Sequence, residues 1–266
     1  LRKKQLLIGD EFLYFPVPYE LFVMCMKSIV LLNNSCNWLA VNYGDIVSTA
    51  LSALTLMENN FLSNAYPLCR GMIELYIKTL ILQKHPEAIE SYAEFSGFEI
   101  EQSCCSQKYP EEFNKLYEQR KYQSSKSRVD YLHYGWLDSI VAYNSTENNR
   151  YSIYGIFDYL MRESNDTQSD SLNEIKRLYK MCHGYTHGST IHVKYPLLQY
   201  FEISMMIYYV VRNVFTEICN ISNIDISDNE PNIAEIVDRD FAILKEQYRI
   251  RSTENFDLYY GLSNSK

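Results

Sequence analysis

One stretch decides the fold class: Asp45-Ile-Val-Ser-Thr-Ala-Leu-Ser-Ala-Leu-Thr-Leu-Met-Glu-Asn-Asn-Phe61. Its apolar residues recur at the three- and four-residue spacing of a helix, at Val47, Ala50, Leu51, Leu54, Met57 and Phe61. Gly44 and Asp45 are residue types that end one helix and cap the next, so we expect a helix boundary there. The stretch therefore predicts a long amphipathic helix.

The same periodicity extends on both sides of this stretch, while few segments alternate with the two-residue period of a strand. Polar loops are expected at Ser164–Ser171 and Ser222–Asn232. The sequence predicts an all-α protein, a multi-helix bundle of about eight or nine helices with no significant sheet. Further helices are expected at residues 17–43, Pro67–Lys84, from Pro86 onward, Tyr151–Glu163, Leu172–Tyr185, Leu197–Ile221 and after Pro231.

The middle of the chain has a different composition. It turns polar from Ser103 to Ser127, with one short helix expected at Glu111–Arg120 and a basic cluster at Arg120–Arg128 that is typical of a solvated surface segment. We therefore expect a single all-helical domain spanning residues 1–266. Its two halves, about 17–106 and 149–249, would pack together across the polar segment 107–148.

Composition excludes several classes of protein. The formal net charge of -8 argues against non-specific binding to a phosphate backbone, although it allows a local basic patch. The seven cysteines form no Cys-x-x-Cys pair, which favours a reducing, cytoplasmic compartment over a zinc ribbon or a disulfide framework. The best candidates for a membrane span, Leu21–Leu32 and Ile203–Val211, are interrupted or flanked by Lys27, Glu202 and Arg212, so no membrane association is expected.

Three of the five histidines lie close together, at His183, His187 and His192. His183 and His187 are four residues apart, a spacing at which two imidazoles on a helix can share a metal ion. The alternative is that the helix ends near His183, where Gly184 or Gly188 would adopt the left-handed cap conformation. No third ligand follows from spacing, so the metal site is the weaker prediction and no cofactor is expected.

Arg177 precedes His183 by six positions. This spacing is similar to the loose Arg-xxxxx-His signature of the HEPN helical ribonucleases. In such chemistry a histidine acts as general acid or base near neutral pH, and an arginine neutralises the charge of the phosphate. The alternative is a solvated arginine followed by a capping histidine.

A second charged pair, Arg70 and Glu74, lies in a helix that is apolar nearly all round. A buried charge must be paired or functional. The alternative is a narrow solvent-facing stripe of i,i+4 partners, which contributes little to stability.

Two of these segments together resemble an uncharacterised bacterial all-helical family. They are Leu68-Cys-Arg-Gly-Met-Ile-Glu-Leu75 and Tyr179-Lys-Met-Cys-His-Gly-Tyr-Thr-His-Gly-Ser189. The family has an Arg-xxx-Glu helix and a Tyr-xx-Ser-xxxx-His turn, here with Cys182 in place of serine and His187 as the matching histidine. The chain is similar in layout, more distantly, to HEPN-like bundles of toxin–antitoxin and phage-defence systems. The resemblance implies an all-helical fold and no established activity.

Three functions follow as hypotheses. The first is a HEPN-like, metal-independent ribonuclease or nucleotide-binding component of a toxin or phage-defence system, with His187, His183 and Arg177 facing Arg70 and Glu74. The second is a non-catalytic interaction module for a cognate protein partner, in which the same residues are structural. The third is a metal-dependent hydrolase that uses His183, His187 and Glu74. RNA or a nucleotide is the expected ligand of the first, and a homodimer through Phe201–Ile218 is expected.

Overall fold

The protein is almost entirely helical in the part of the chain that the computed structural model describes. The described residues are 5–8, 11–14, 19–32, 38–59, 61–104, 108–120, 127–144, 150–186, 196–223 and 232–254.

Eleven α-helices lie within those ranges, together with two 3-10 turns, Pro86–Ala88 and Gly135–Ser139, and one short hairpin. The hairpin pairs Gln5–Ile8 (β1) antiparallel with Glu11–Tyr14 (β2). The prediction of an all-α fold is confirmed. The helices are α1 Tyr19–Leu32, α2 Trp38–Glu58, α3 Leu62–Lys84, α4 Ile89–Cys104, α5 Glu111–Gln119, α6 Arg128–Tyr134, α7 Val141–Asn144, α8 Ile153–Arg162, α9 Asp166–Thr186, α10 Pro196–Ile221 and α11 Ile233–Glu254.

The chain forms two compact units whose boundaries fall inside helices. Unit 1 contains Leu1–Tyr76 and Arg177–Lys266, and unit 2 contains Ile77–Lys176. The first boundary therefore lies within α3 and the second within α9. The predicted division into halves 17–106 and 149–249 stays a prediction.

Unit 1 is built around α10, which packs against α1, α2 and α11. Apolar side chains on nearly every face of α10 are buried, from Tyr200 to Cys219. A helix that is buried on most of its sides occupies the centre of a bundle, and the polar residues of α10, such as Arg212 and Thr216, form only a narrow, half-buried stripe. The expectation that Phe201–Ile218 presents a surface for a dimer is therefore wrong for this helix, although the homodimer itself stays a prediction.

The helix α2 has the length and apolar composition of a membrane span, with a mean hydropathy of 1.2 over its best window, and is the one such helix among the described residues. Core helices meet the same criterion. The buried side of α2 includes Tyr43, Ile46, Val47 and Ala50, and the helix contacts α1 and α10. These contacts are those of a core helix.

Unit 2 contains an aromatic core at the junction of α4, α5 and α6. The ring of Phe113 lies within 6.3 Å, centre to centre, of the rings of Phe95 and Tyr131. Tyr151 donates a hydrogen bond of 3.0 Å to Asp138, on the neighbouring 3-10 turn. The short helix predicted at Glu111–Arg120 is confirmed, and the polar composition of this part of the chain conceals a core residue, because Phe113 is fully buried. A signal was present in the sequence: Tyr109, Phe113 and Tyr117 follow one another at four-residue spacing, which places their rings on one side of a helix. Residues 121–126 of the basic cluster lie outside the described residues.

Three predicted helix boundaries are also wrong. The helix α2 runs through Gly44 and Asp45, because the buried stripe of Tyr43, Ile46 and Val47 continues across the glycine. Pro67 lies inside α3, whose buried face begins earlier, at Leu62. The helix α9 begins at Asp166, where the Asn165 side chain accepts a hydrogen bond of 3.0 Å from the Gln168 backbone N–H, as an N-cap residue does.

Gly135 provides a test of the packing in unit 2. A Cβ atom at this position would lie 2.4 Å from Cε1 of Phe95 and 2.9 Å from Cε2 of Tyr131. We expect Gly135→Ala to lower the free energy of unfolding by about 1–3 kcal/mol, because the rings must shift. Urea unfolding followed by circular dichroism measures this change.

Gly97 is the matched control, since a Cβ atom there meets nothing within 4 Å in the middle of α4. Gly97→Ala should raise stability by up to about 1 kcal/mol, because alanine favours the helix. Equal effects of the two substitutions would contradict the packing described for Gly135.

Candidate functional site

The helix α3 presents Arg70 and Glu74 one turn apart on the same face. The Nε atom of Arg70 donates a hydrogen bond of 3.0 Å to Oε1 of Glu74. Their side chains are 27% and 29% exposed, so the pair is partly buried and remains open to solvent. The arrangement lies between the two predicted alternatives, a fully buried pair and a solvent-facing stripe.

Tyr179 of α9 completes this pair. Its hydroxyl donates a hydrogen bond of 2.5 Å to the same Oε1 atom of Glu74, and the Arg70 guanidinium lies 5.4 Å from the centre of its ring. The Tyr179 side chain is buried, on the face of α9 that also buries Ile175, Leu178 and Cys182. We call Arg70, Glu74 and Tyr179 the Arg70 cluster. It joins α3 to α9 across 105 residues of sequence.

The cluster keeps the arginine charged. Partial burial lowers the pKa of the Arg70 guanidinium, but the hydrogen bond to Glu74 and the proximity of Tyr179 raise it by more, so the net shift is upward. A guanidinium held by a carboxylate on one edge and by an aromatic ring is fixed in orientation. The result is a permanent, oriented cation at a partly exposed position.

Buried sulfur atoms lie in the same part of unit 1. Cys69 and Cys182 are both buried, and Sγ of Cys182 lies 3.3 Å from Sδ of Met206 on α10. Burial and the nearby Glu202 carboxylate raise the pKa of the Cys182 thiol to about 12. Burial also raises the pKa of Cys69 well above its usual range. Both groups are neutral thiols near neutral pH, so neither is an activated nucleophile.

A second polar contact links α3 to α10. The Tyr66 hydroxyl donates a hydrogen bond of 2.5 Å to Oε2 of Glu202, a carboxylate that is only 2% exposed. Sequence reasoning did not single out Glu202 or Tyr66. The available signal was a carboxylate among the apolar residues of the first half of α10, which must be paired when buried.

The histidine segment lies only partly within the described residues. The helix α9 continues to Thr186, so the prediction that it ends near His183 with Gly184 as its cap is wrong. The backbone of His183 belongs to α9, while its side chain lies outside the described part of the chain. His187, His192 and Gly188 also lie outside it. The predicted role of these histidines therefore stays a prediction.

Arg177 lies on the exposed side of α9, with Nη1 3.3 Å from Sδ of Met181. The structure therefore places Arg70 and Glu74 in contact with Tyr179, whereas Arg177 contacts Met181. No group of three His, Cys, Asp or Glu side chains that could hold a metal ion occurs among the described residues. The metal alternative at His183 and His187 lies outside them.

The remaining two histidines have partners in unit 2. Nε2 of His85 lies 2.7 Å from the Tyr159 hydroxyl, and Nδ1 of His133 lies 3.0 Å from Oε1 of Glu99. Both imidazoles therefore have polar partners within unit 2.

The fold and the cluster define an all-helical protein with an arginine–glutamate–tyrosine site on two of its helices. Residues 37–199 match the model of a family described as Family of unknown function (DUF5677). The chain belongs to this family, and the whole Arg70 cluster lies within the matched residues. No curated protein and no solved structure matches the chain. The resemblance to an uncharacterised helical family is confirmed, while similarity to HEPN proteins stays a prediction.

The hydrogen bond from Tyr179 to Glu74 can be tested by substitution. We expect Tyr179→Phe to lower the free energy of unfolding by about 1–2 kcal/mol, because it removes a hydrogen bond to a charged acceptor. Urea unfolding measures the change. Tyr209 on α10 is a matched control, since no hydrogen bond of its hydroxyl occurs in the described structure. Tyr209→Phe should leave stability nearly unchanged, and an equal loss in both variants would contradict the assignment.

The thiol environments predict a pattern of chemical modification. Native protein treated with iodoacetamide at pH 8 should react at Cys104, which is exposed, and should be protected at Cys69 and Cys182. Because burial raises the pKa of the Cys182 thiol to about 12, the thiol stays mostly neutral at pH 10, and protection should persist when the pH is raised to that value. Peptide mapping by mass spectrometry reads the result, with urea-unfolded protein as the control. Rapid modification of Cys182 in native protein would contradict its burial.

Proposed function

We propose that the Arg70 cluster forms the anion-binding part of a HEPN-like, metal-independent ribonuclease site. The observation that carries this proposal is the oriented, partly exposed guanidinium of Arg70, held by Glu74 and by the ring of Tyr179. A planar guanidinium matches two oxygen atoms of a phosphate group in a bidentate contact. A diester of RNA is the substrate class that fits such a cation beside imidazole groups.

The geometry favours different roles for Glu74 and for the two histidines. Oε1 of Glu74 already accepts hydrogen bonds from both Arg70 and Tyr179, so we assign Glu74 to positioning the arginine and not to proton transfer. Proton transfer then falls to the two histidines. His183 lies four residues after Tyr179 on α9, about 6 Å further along the helix axis, and His187 follows directly after Thr186.

The proposed reaction needs no metal ion, because two histidines accept and donate the protons. One histidine accepts the proton of the ribose 2′-hydroxyl. The 2′-oxygen then bonds to phosphorus while the bond from phosphorus to the 5′-oxygen breaks. The other histidine donates a proton to the leaving 5′-oxygen, which gives a 2′,3′-cyclic phosphate and a free 5′-hydroxyl. Arg70 would stabilise the charge that develops on the non-bridging oxygens. The reference pKa of histidine, close to neutral pH, suits both transfers.

Local charge supports binding of RNA to this acidic protein. Between Ile175 and Thr186, α9 carries three cations, Lys176, Arg177 and Lys180, and no acidic residue. Arg177 and Lys180 are exposed, and Lys176 pairs with Asp158 within unit 2. This segment is a local exception to the net charge of -8, so the phosphate backbone meets cations next to the proposed site.

A non-catalytic interaction module is the second candidate, because the hydrogen bonds within the Arg70 cluster also fit a purely structural role. Each member of the Arg70 cluster contacts another member, as expected of residues that only stabilise the packing of α3 against α9. In that case the cluster would stabilise a surface that binds a cognate protein partner, and its substitution would lower stability in parallel with binding.

RNA cleavage in EDTA distinguishes these candidates. We expect the wild-type protein to cleave single-stranded RNA and Arg70→Lys to lower the rate about 100-fold, because lysine keeps the charge but loses the bidentate geometry. His187→Ala should abolish cleavage, and with it any toxicity to growth, without loss of helical circular dichroism. The cyclic phosphate product should be detected by mass spectrometry.

The matched control is Arg249→Gln, which removes an exposed ion pair with Glu246 on α11. It should cleave RNA at the wild-type rate. Absence of cleavage by well-folded wild-type protein would contradict the ribonuclease and favour the interaction module. Wild-type cleavage that survives Arg70→Lys would place the activity away from the Arg70 cluster.

A further inference from the structure

The helix α1 has an apolar outer face. Its inner side is buried within unit 1 and consists of Leu21, Met24, Cys25, Ser28 and Leu32. On the opposite side, Tyr19, Met26 and Val30 are 46%, 44% and 62% exposed. Together with the half-buried Val23, they follow one another at spacings of four, three and four residues, which places them in one row along the helix. We call Tyr19, Val23, Met26 and Val30 the α1 stripe.

The adjacent helix α2 shows the composition of a solvent-facing row in the same unit. Its exposed positions recur at the same kind of spacing and are occupied by Val41, Asp45, Ser48, Ser52 and Thr55. All but Val41 are polar, as expected of a row that faces water. In the α1 stripe the Tyr19 hydroxyl is the only polar side-chain group, although three of the four members are exposed. An exposed apolar row at this spacing is typical of a helix that packs on another helix.

Two opposite charges flank the α1 stripe on one side. Glu20 and Lys27 are seven residues apart and therefore lie two turns apart on the same edge of the stripe. Both are half-buried, and neither forms an ion pair with another described residue. Phe22 and Ile29 occupy the opposite edge at the same separation and are apolar. The outer face of α1 thus has one charged edge and one apolar edge.

We propose that the α1 stripe is the seam of a homodimer, in which α1 packs antiparallel on α1 of a second copy. A twofold axis perpendicular to the helix places each edge against the same edge of the second copy. Glu20 then meets Lys27 of the second copy, and this pair occurs twice because of the symmetry. A parallel pair would instead bring the charged edge against the apolar edge, which leaves both charges without a partner.

The positions of the charges agree with those of the apolar residues. The midpoint between Tyr19 and Val30 and the midpoint between Glu20 and Lys27 lie one residue apart in sequence, which is about 1.5 Å along the helix axis. One twofold axis therefore aligns the apolar row and both ion pairs. An unrelated protein needs no such symmetry, and one cation balanced by one anion gives little attraction to an anionic membrane. The pattern therefore favours a second copy of this chain.

Sedimentation equilibrium tests the seam. The wild-type protein should sediment as a dimer, with twice the chain mass of 31.3 kDa. Val30→Asp should raise the dissociation constant of the dimer at least about tenfold, because it places a carboxylate in the apolar row beside Glu20 of the second copy. Val41→Asp on α2 is the matched control, since Val41 is also 62% exposed, and it should leave the dissociation constant unchanged. Both variants should keep the helical circular dichroism of the wild type.

Exchange of the charges tests the antiparallel orientation. Glu20→Lys and Lys27→Glu should each raise the dissociation constant about tenfold, since each brings like charges together twice. The double variant, Glu20→Lys with Lys27→Glu, should restore the wild-type dimer because opposite charges face each other again. Glu112→Lys on α5 changes the net charge as Glu20→Lys does, and it should leave dimerisation unchanged.

Three results of these experiments would each overturn the proposal: a monomeric wild type, a dimer that Val30→Asp does not weaken, or a double variant that dissociates as readily as the single variants. A monomer that co-sediments with vesicles of phosphatidylcholine and phosphatidylserine would also overturn it and would assign the α1 stripe to a membrane surface. The seam contains none of the residues assigned to RNA cleavage, so its test does not depend on that activity.

Discussion

The hydrogen bond from the Tyr179 hydroxyl to Oε1 of Glu74 is the contact on which the candidate site depends. It joins α3 to α9, and it fixes the carboxylate that in turn holds Arg70. A lone i,i+4 ion pair on a helix surface would be weak and mobile. Partial burial and the phenol ring give the Arg70 guanidinium one orientation, and orientation is what a phosphate-binding group requires.

The surroundings of this contact explain why the cation is confined to one place. Burial keeps the thiols of Cys69 and Cys182 neutral, and the buried carboxylate of Glu202 is engaged by Tyr66. The buried thiols are therefore neutral and do not compete with Glu74 for the guanidinium. The backbone of His183 follows Tyr179 by four residues on α9, so the helix that contributes to the cluster also contains one of the proposed catalytic histidines.

Sequence periodicity was sufficient for the fold class and for the long helices, because α2, α10 and α11 bury continuous apolar stripes. It was not sufficient for boundaries: the buried stripes of α2 and α3 pass through Gly44 and Pro67, residue types that usually end or begin helices. The pairing of Arg70 with Glu74 followed from their spacing. The contact of Tyr179 did not, because it joins residues 105 positions apart.

The central claim is that Arg70 and the histidines after Tyr179 bind one phosphate group together. NMR spectra of the Arg70 Nε–H group and of the His183 and His187 rings, recorded during titration with an RNA oligonucleotide that carries a 2′-deoxy sugar at its cleavage site, test this claim most directly. The account predicts that all three signals shift together along one saturation curve. An Arg70 signal that stays constant while the histidine signals move would contradict it.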